Sequence, residues 1–116
     1  MNDRETRLRA LYSAFNARDI ETVLGAMTPD VDWPNGMEGT REIGHEAVRA
    51  YWLRQWGMID PHVEPVSFSE RPGGLTAIDV HQVVRDLQGN VLNDRPVRHV
   101  YEFDGQLVSR MDIEEA

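Results

Sequence analysis

The feature that most constrains this chain is a change of hydrophobic period near Pro61: apolar residues recur at helical spacing before it and along strands after it. Leu8, Leu11, Tyr12 and Phe15 stand at i, i+3, i+4 and i+7, which predicts a first helix capped by Asn2 or Asp3. Asn16-Ala17-Arg18 interrupts that stripe. Asp19 then caps an expected second helix carrying Ile20, Val23, Leu24 and Met27, ended by Pro29. Val31-Asp32-Trp33 reads as a short strand stopped by Pro34, followed by an Asn35-Gly36 turn. A third helix is expected from Gly44 to about Trp56, with Val48, Tyr51, Trp52 and Trp56 on one face.

Beyond Pro61 the pattern predicts four strands: Val63 to Glu70, Leu75 to Leu87, Val91 to Phe103, and Gln106 to Ile113. Pro65 directs the first of these to a sheet edge. Gly73-Gly74, Gln88-Gly89-Asn90 and Asp104-Gly105 supply the turns, the last as a two-residue hairpin. Three helices followed by a strand meander predict one α+β domain over residues 1–116, with helices packed on one face of a curved antiparallel sheet. Along the third long strand, Val97, His99, Tyr101 and Phe103 share one face, while Arg98, Val100 and Glu102 share the other. Apolar residues on both faces predict a homodimer through the sheet.

The formal charge of −8, with no Lys and no basic run among the twelve arginines, argues against a nucleic-acid surface. Absent cysteine removes disulfides, thiolate catalysis and Cys-based zinc sites. The polar start and the lack of any run of about 20 apolar residues argue against a secretory leader or a membrane span, and predict a cytoplasmic protein. His45, His62, His81 and His99 show no short ligand spacing. A mixed His81, His99 and Asp112 metal site is geometrically conceivable, but the expected metal and cofactor complement is none.

The order of these elements, with Trp33 and a Gly-containing loop before Gly44-His45-Glu46-Ala47-Val48-Arg49-Ala50-Tyr51-Trp52, resembles the nuclear transport factor 2-like superfamily. That superfamily includes ketosteroid isomerases, SnoaL-like polyketide cyclases and limonene-epoxide hydrolases. The resemblance runs from Leu8 to Ile113 and implies a cone-shaped pocket between helices and sheet, a small apolar organic ligand, and a dimer. Members range from enzymes to dimerisation modules, so fold alone does not assign activity. The isomerase base position holds Trp33, followed by Pro34. The isomerase oxyanion acid falls at His99, and Leu11, beside Tyr12, stands where its Tyr partner is expected. Trp33-Pro34-Asn35 partly matches the epoxide hydrolases' aromatic-x-Asn group, while Asp79-Val80-His81 replaces their Arg-x-Asp pair. An acid on the last strand, common to hydrolases and cyclases, picks out Asp112.

From the residues themselves, Asp112 shares a strand face with Arg110 and Val108; if that face is inward, Arg110 points in with it. An inward His99, joined by His81, then provides an Asp–His acid–base pair suited to enolisation, aldol closure or activation of water. The candidate catalytic residues are Asp112 and His99. The candidate binding residues are Tyr12, Phe15, Trp33, Asn35, Trp52, Trp56, His81, Tyr101 and Arg110. Each has a structural alternative: an Asp112–Arg110 ion pair, hydrogen-bonded core histidines, and aromatics that fill the core. The two functional expectations are a cofactor-independent acid–base enzyme on an apolar carbonyl or epoxide, and a non-catalytic binding or dimerisation module.

Overall fold

The computed structural model describes residues 3–116. Helices α1 (Asp3–Asn16), α2 (Ile20–Gly25) and α3 (His45–Trp56) accompany strands β1 (Met27–Asn35), β2 (Thr40–Ile43), β3 (Asp60–Arg71), β4 (Leu75–Arg85), β5 (Val91–Asp104) and β6 (Leu107–Glu115). The strands form one sheet in the order β2-β1-β6-β5-β4-β3. The α+β class follows, and β3, which carries Pro65, lies at an edge. The alternative cap Asn2 falls outside the described residues.

Asp19 caps α2, its Oδ2 accepting from the Thr22 hydroxyl at 2.6 Å. The helix ends earlier than expected, because the Val108 amide donates to the Ala26 carbonyl at 2.9 Å and draws the chain onto β6. Met27 therefore opens a strand rather than closing a helix. Pro29 and Pro34 lie within β1 instead of bounding it. Proline lacks only the N–H, and Pro29 falls where the β1–β6 register is broken, between Met27 and Asp32. The sheet is mixed, not wholly antiparallel, since β1 runs parallel to β6. A long crossover joins these two strands, so no hairpin dictates their direction. The short β2 was not anticipated; its half-exposed Thr-Arg-Glu-Ile lacks a clear alternation. In the last hairpin the turn residues are Gly105 and Gln106, closed by the Asp104–Leu107 pair, with Gly105 at φ 61°.

The helices cover one face of the sheet. Leu8, Leu11, Val23, Leu24, Val48 and Trp52 bury against Val31, Ile78, Val80, Val108 and Met111. The other face carries a ladder of paired charges. Asp32 accepts from Arg41 Nε and Arg110 Nη1, each at 2.7 Å, and further across the sheet Arg98 joins Asp79 while Arg71 joins Glu114.

Candidate functional site

Strand alternation decides what faces the helices. On β5 the inward set is Arg95, Val97, His99 and Tyr101; on β4 it includes Gln82 and Val84, and on β6 Met111 and Ile113. With Tyr12 and Phe15 of α1, Trp33 of β1, and Tyr51, Trp52 and Gln55 of α3, they line a cavity of ≈ 210 Å³ between helices and sheet. The wall is mostly aromatic and aliphatic. Trp33 meets Trp52 edge-on, centroids 5.7 Å apart, and Phe15 meets Trp52 at 5.5 Å.

Three linked polar groups of this cavity are buried. The Tyr101 hydroxyl donates to the Tyr12 hydroxyl at 2.9 Å, and the Tyr12 hydroxyl lies 2.7 Å from His99 Nδ1. Burial alone lowers the His99 pKa to about 4, so its imidazole is neutral at pH 7. Burial likewise raises the Tyr12 phenol well above its ordinary value, with Tyr101 adding to the effect, and raises Tyr101. All three groups are therefore uncharged. Between a phenol and a neutral imidazole, the phenol is the better donor and the imidazole nitrogen the better acceptor. With the Tyr12 oxygen already accepting from Tyr101, its own proton goes to Nδ1. The His99 proton then resides on Nε2. His99 is 6% exposed, and Nε2 has no hydrogen-bond partner among the described residues. The chain of donors thus ends in an N–H available to the cavity.

Of the residues expected from sequence, Tyr12, Phe15, Trp33, Trp52, His99 and Tyr101 come together around this space. Others do not. Asp112 pairs across the ladder with Val100, whereas His99 pairs with Ile113, so Asp112 and His99 project from opposite faces of the sheet. Asp112 sits in the outward charge ladder, accepting from Arg110 Nε at 2.8 Å and Arg41 Nη1 at 3.1 Å. The Arg110 hydrogen bond is the main cause holding its carboxyl below the ordinary range, which makes it a weak base. Arg110 faces outward with it. His81 also faces away from the cavity, half-exposed, with Nε2 2.6 Å from Asp94. Asn35 is buried as a turn organiser: its Oδ1 accepts from the amides of Met37 and Glu38, and its Nδ2 donates to Glu42. Trp56 packs outside the lining, stacked on Trp52 at 5.9 Å beneath Arg18.

The sequence reading missed Gln55, Gln82 and Arg95. Their signal was available for the last two, since Arg95 has the parity of His99 and Gln82 is its cross-strand partner. Among the described residues no group of three His, Asp or Glu side chains is arranged to hold a metal ion, and no helix is long and apolar enough to cross a membrane.

Helices over a curved six-stranded sheet, with a cavity between them, define a nuclear transport factor 2-like protein. The SnoaL-like domain matches residues 8–111, and the chain belongs to that family. No curated protein matches it. A solved structure of an NTF2-like protein of unknown function from Burkholderia pseudomallei is similar over 100% of this chain and 92% of its own, with 26% identity and a TM-score of 0.86. TerC, co-crystallised with polyporic acid, is similar at 24% identity and a TM-score of 0.85, covering 99% of this chain and 92% of its own. A polyketide cyclase assignment from Sinorhizobium meliloti shares 15% identity at a TM-score of 0.79, over 98% and 95% of the two chains.

Proposed function

We propose that this SnoaL-like protein binds a ring-bearing apolar molecule in the cavity and directs His99 Nε2–H at one of its oxygens, a carbonyl or an enolate. The observation that carries the reading is the Tyr101–Tyr12–His99 chain, ending in a donor without a protein partner beside an aromatic wall. Hydrogen bonds in series polarise one another, and a fixed neutral donor stabilises charge developing on oxygen without reorganising. TerC's co-crystallisation with polyporic acid and the cyclase-assigned neighbour support a ring-bearing oxygenated ligand. Asp112 has no part in this reading, and the lining includes no carboxylate. If the protein is an enzyme of the isomerase or cyclase type, His99 acts as the electrophile and the proton acceptor is not a side chain of the wall. The same reading takes residues 1–116 as one domain, working in the cytoplasm as a homodimer through the outer sheet face. On that face, charges already paired with one another lessen the desolvation that association requires.

The experiment is a fluorescence titration of Trp33 and Trp52 with 2-acetylnaphthalene and with 2-ethylnaphthalene, which has the same shape without the carbonyl. The ketone should bind about tenfold more tightly, and His99→Phe should erase that preference, as expected for one buried hydrogen bond of about 1–1.5 kcal/mol. Equal affinity of the native protein for both compounds would remove His99 from ligand recognition.

A further inference from the structure

Resting on that reading of the cavity, we infer that its ligand also carries an acidic group, a carboxylate or an ionised phenol or enol, held at the mouth by Arg95. Arg95 is exposed and lines the cavity. The chain is acidic, and its arginines are otherwise engaged almost throughout. Arg41, Arg71, Arg98 and Arg110 serve the outer ladder, and Arg18, Arg49 and Arg54 hold carboxylates elsewhere. Arg4 and Arg7 donate to oxygens, and Arg9 lies over the Phe68 ring. Only Arg85 and Arg95 make no side-chain hydrogen bond, ion pair or ring contact among the described residues, and Arg85 does not line the cavity.

The polar groups around Arg95 are likewise unsatisfied. Gln82, directly opposite it on β4, also lines the cavity and has no side-chain partner among the described residues. Gln55 donates to Tyr51 but leaves its own buried Oε1 without a partner. Oε1 is an acceptor and offers the anion nothing, so Arg95 and the Gln82 amide are the donors on this wall that a negatively charged group can use. The cavity wall therefore has an apolar middle and polar groups at two levels. His99 and Arg95 stand four residues apart on one face of β5, a rise of about 13 Å between their backbones. A bicyclic or tricyclic ring system with an acceptor oxygen at one end and an anion at the other matches that separation. A guanidinium suits such an anion because its forked N–H donors fit two oxygens at once.

The test compares 6-acetyl-2-naphthoate with 6-acetyl-2-naphthamide, which keeps the ring and ketone but replaces the anion by a neutral group of the same shape. The naphthoate should bind the native protein about three- to fivefold more tightly, the range of an exposed ion pair, and the advantage should shrink as salt is raised. Arg95→Gln should erase the naphthoate's advantage over the naphthamide and Arg95→Glu should reverse it, the ratio of the two affinities being the readout in each variant. Arg85→Gln, the control for general attraction of anions, should preserve it. If the naphthamide binds and the naphthoate gains nothing, or if its gain survives Arg95→Gln, the role of Arg95 is overturned while the cavity reading stands. If neither compound binds and 2-acetylnaphthalene also fails, the cavity reading falls and takes this inference with it.

Discussion

Acidification should weaken this fold through His99, and the size of the effect follows from its burial. In the folded chain the imidazole has a pKa of about 4, against an ordinary value near 6.5. Because the folded value is depressed, the unfolded chain binds the extra proton first, between pH 6.5 and 4. Stability is therefore fully present above pH 6.5 and is lost as pH falls toward 4. From those two values, the loss between pH 7.5 and pH 5 is about 2 kcal/mol. For a domain of this length that corresponds to a fall in Tm of roughly 6–12 °C. The assay is urea unfolding at half-unit pH steps on the native protein and on His99→Leu. The substitution has its own cost, but it should flatten the curve above pH 5. Asp79, Asp86, Asp112 and Glu114, whose carboxyls are held low by their partners, also lose stability in acid, but do so equally in both proteins. The difference between the two curves isolates His99. Parallel curves, or a native protein equally stable at pH 5 and 7.5, would refute a buried neutral imidazole.

Three further outcomes follow from the same contacts. Tyr12→Phe removes the hydroxyl between Tyr101 and His99 and strands a partner on each side, so chemical denaturation should show a loss of about 2–4 kcal/mol. Trp52→Ala empties the centre of the aromatic wall and should cost about 3–5 kcal/mol by the same measurement. Asp112→Asn should leave affinity for 2-acetylnaphthalene unchanged and shift stability by no more than about 1 kcal/mol, as for a half-exposed ion pair. A loss of ligand affinity in that variant would return Asp112 to the site.

The helices and long strands were legible because each repeats a period over several turns or pairs. The stripe from Leu8 to Phe15 and the alternation from Val97 to Tyr101 determine which side of each element is buried. β1 and β2 were less legible, because β1 contains two prolines and β2 has only four residues. Their place depends on β6, far away in sequence. The face of Asp112 was lost for a related reason. Val108 is buried while Arg110 and Asp112 point outward, because a bulge between Glu102 and Phe103 shifts the β5–β6 register. Parity counted from Val108 therefore gives the wrong side, whereas parity counted from the aromatic His99 strand gives the right one. The Tyr12–His99 contact joins residues 87 apart, and no local pattern encodes such a meeting.

The placement of β6 between β1 and β5 also sets the order in which this protein assembles. The β3–β4–β5 meander can zip locally as it forms, each strand beside its chain neighbour. β1 has no such neighbour on its inner edge: Met27 waits for Val108, about eighty residues later. Closing so long a loop is entropically costly before any pairing rewards it, so β1 is expected to join last and folding to take milliseconds to seconds, which stopped-flow refolding followed by tryptophan fluorescence checks. Until β1 joins, the Trp33 side of the cavity is missing and the edges of β1 and β6 lie open. In that interval the nascent chain is most exposed to strand-to-strand aggregation, and an occupant of the finished cavity would stabilise the closed state by mass action.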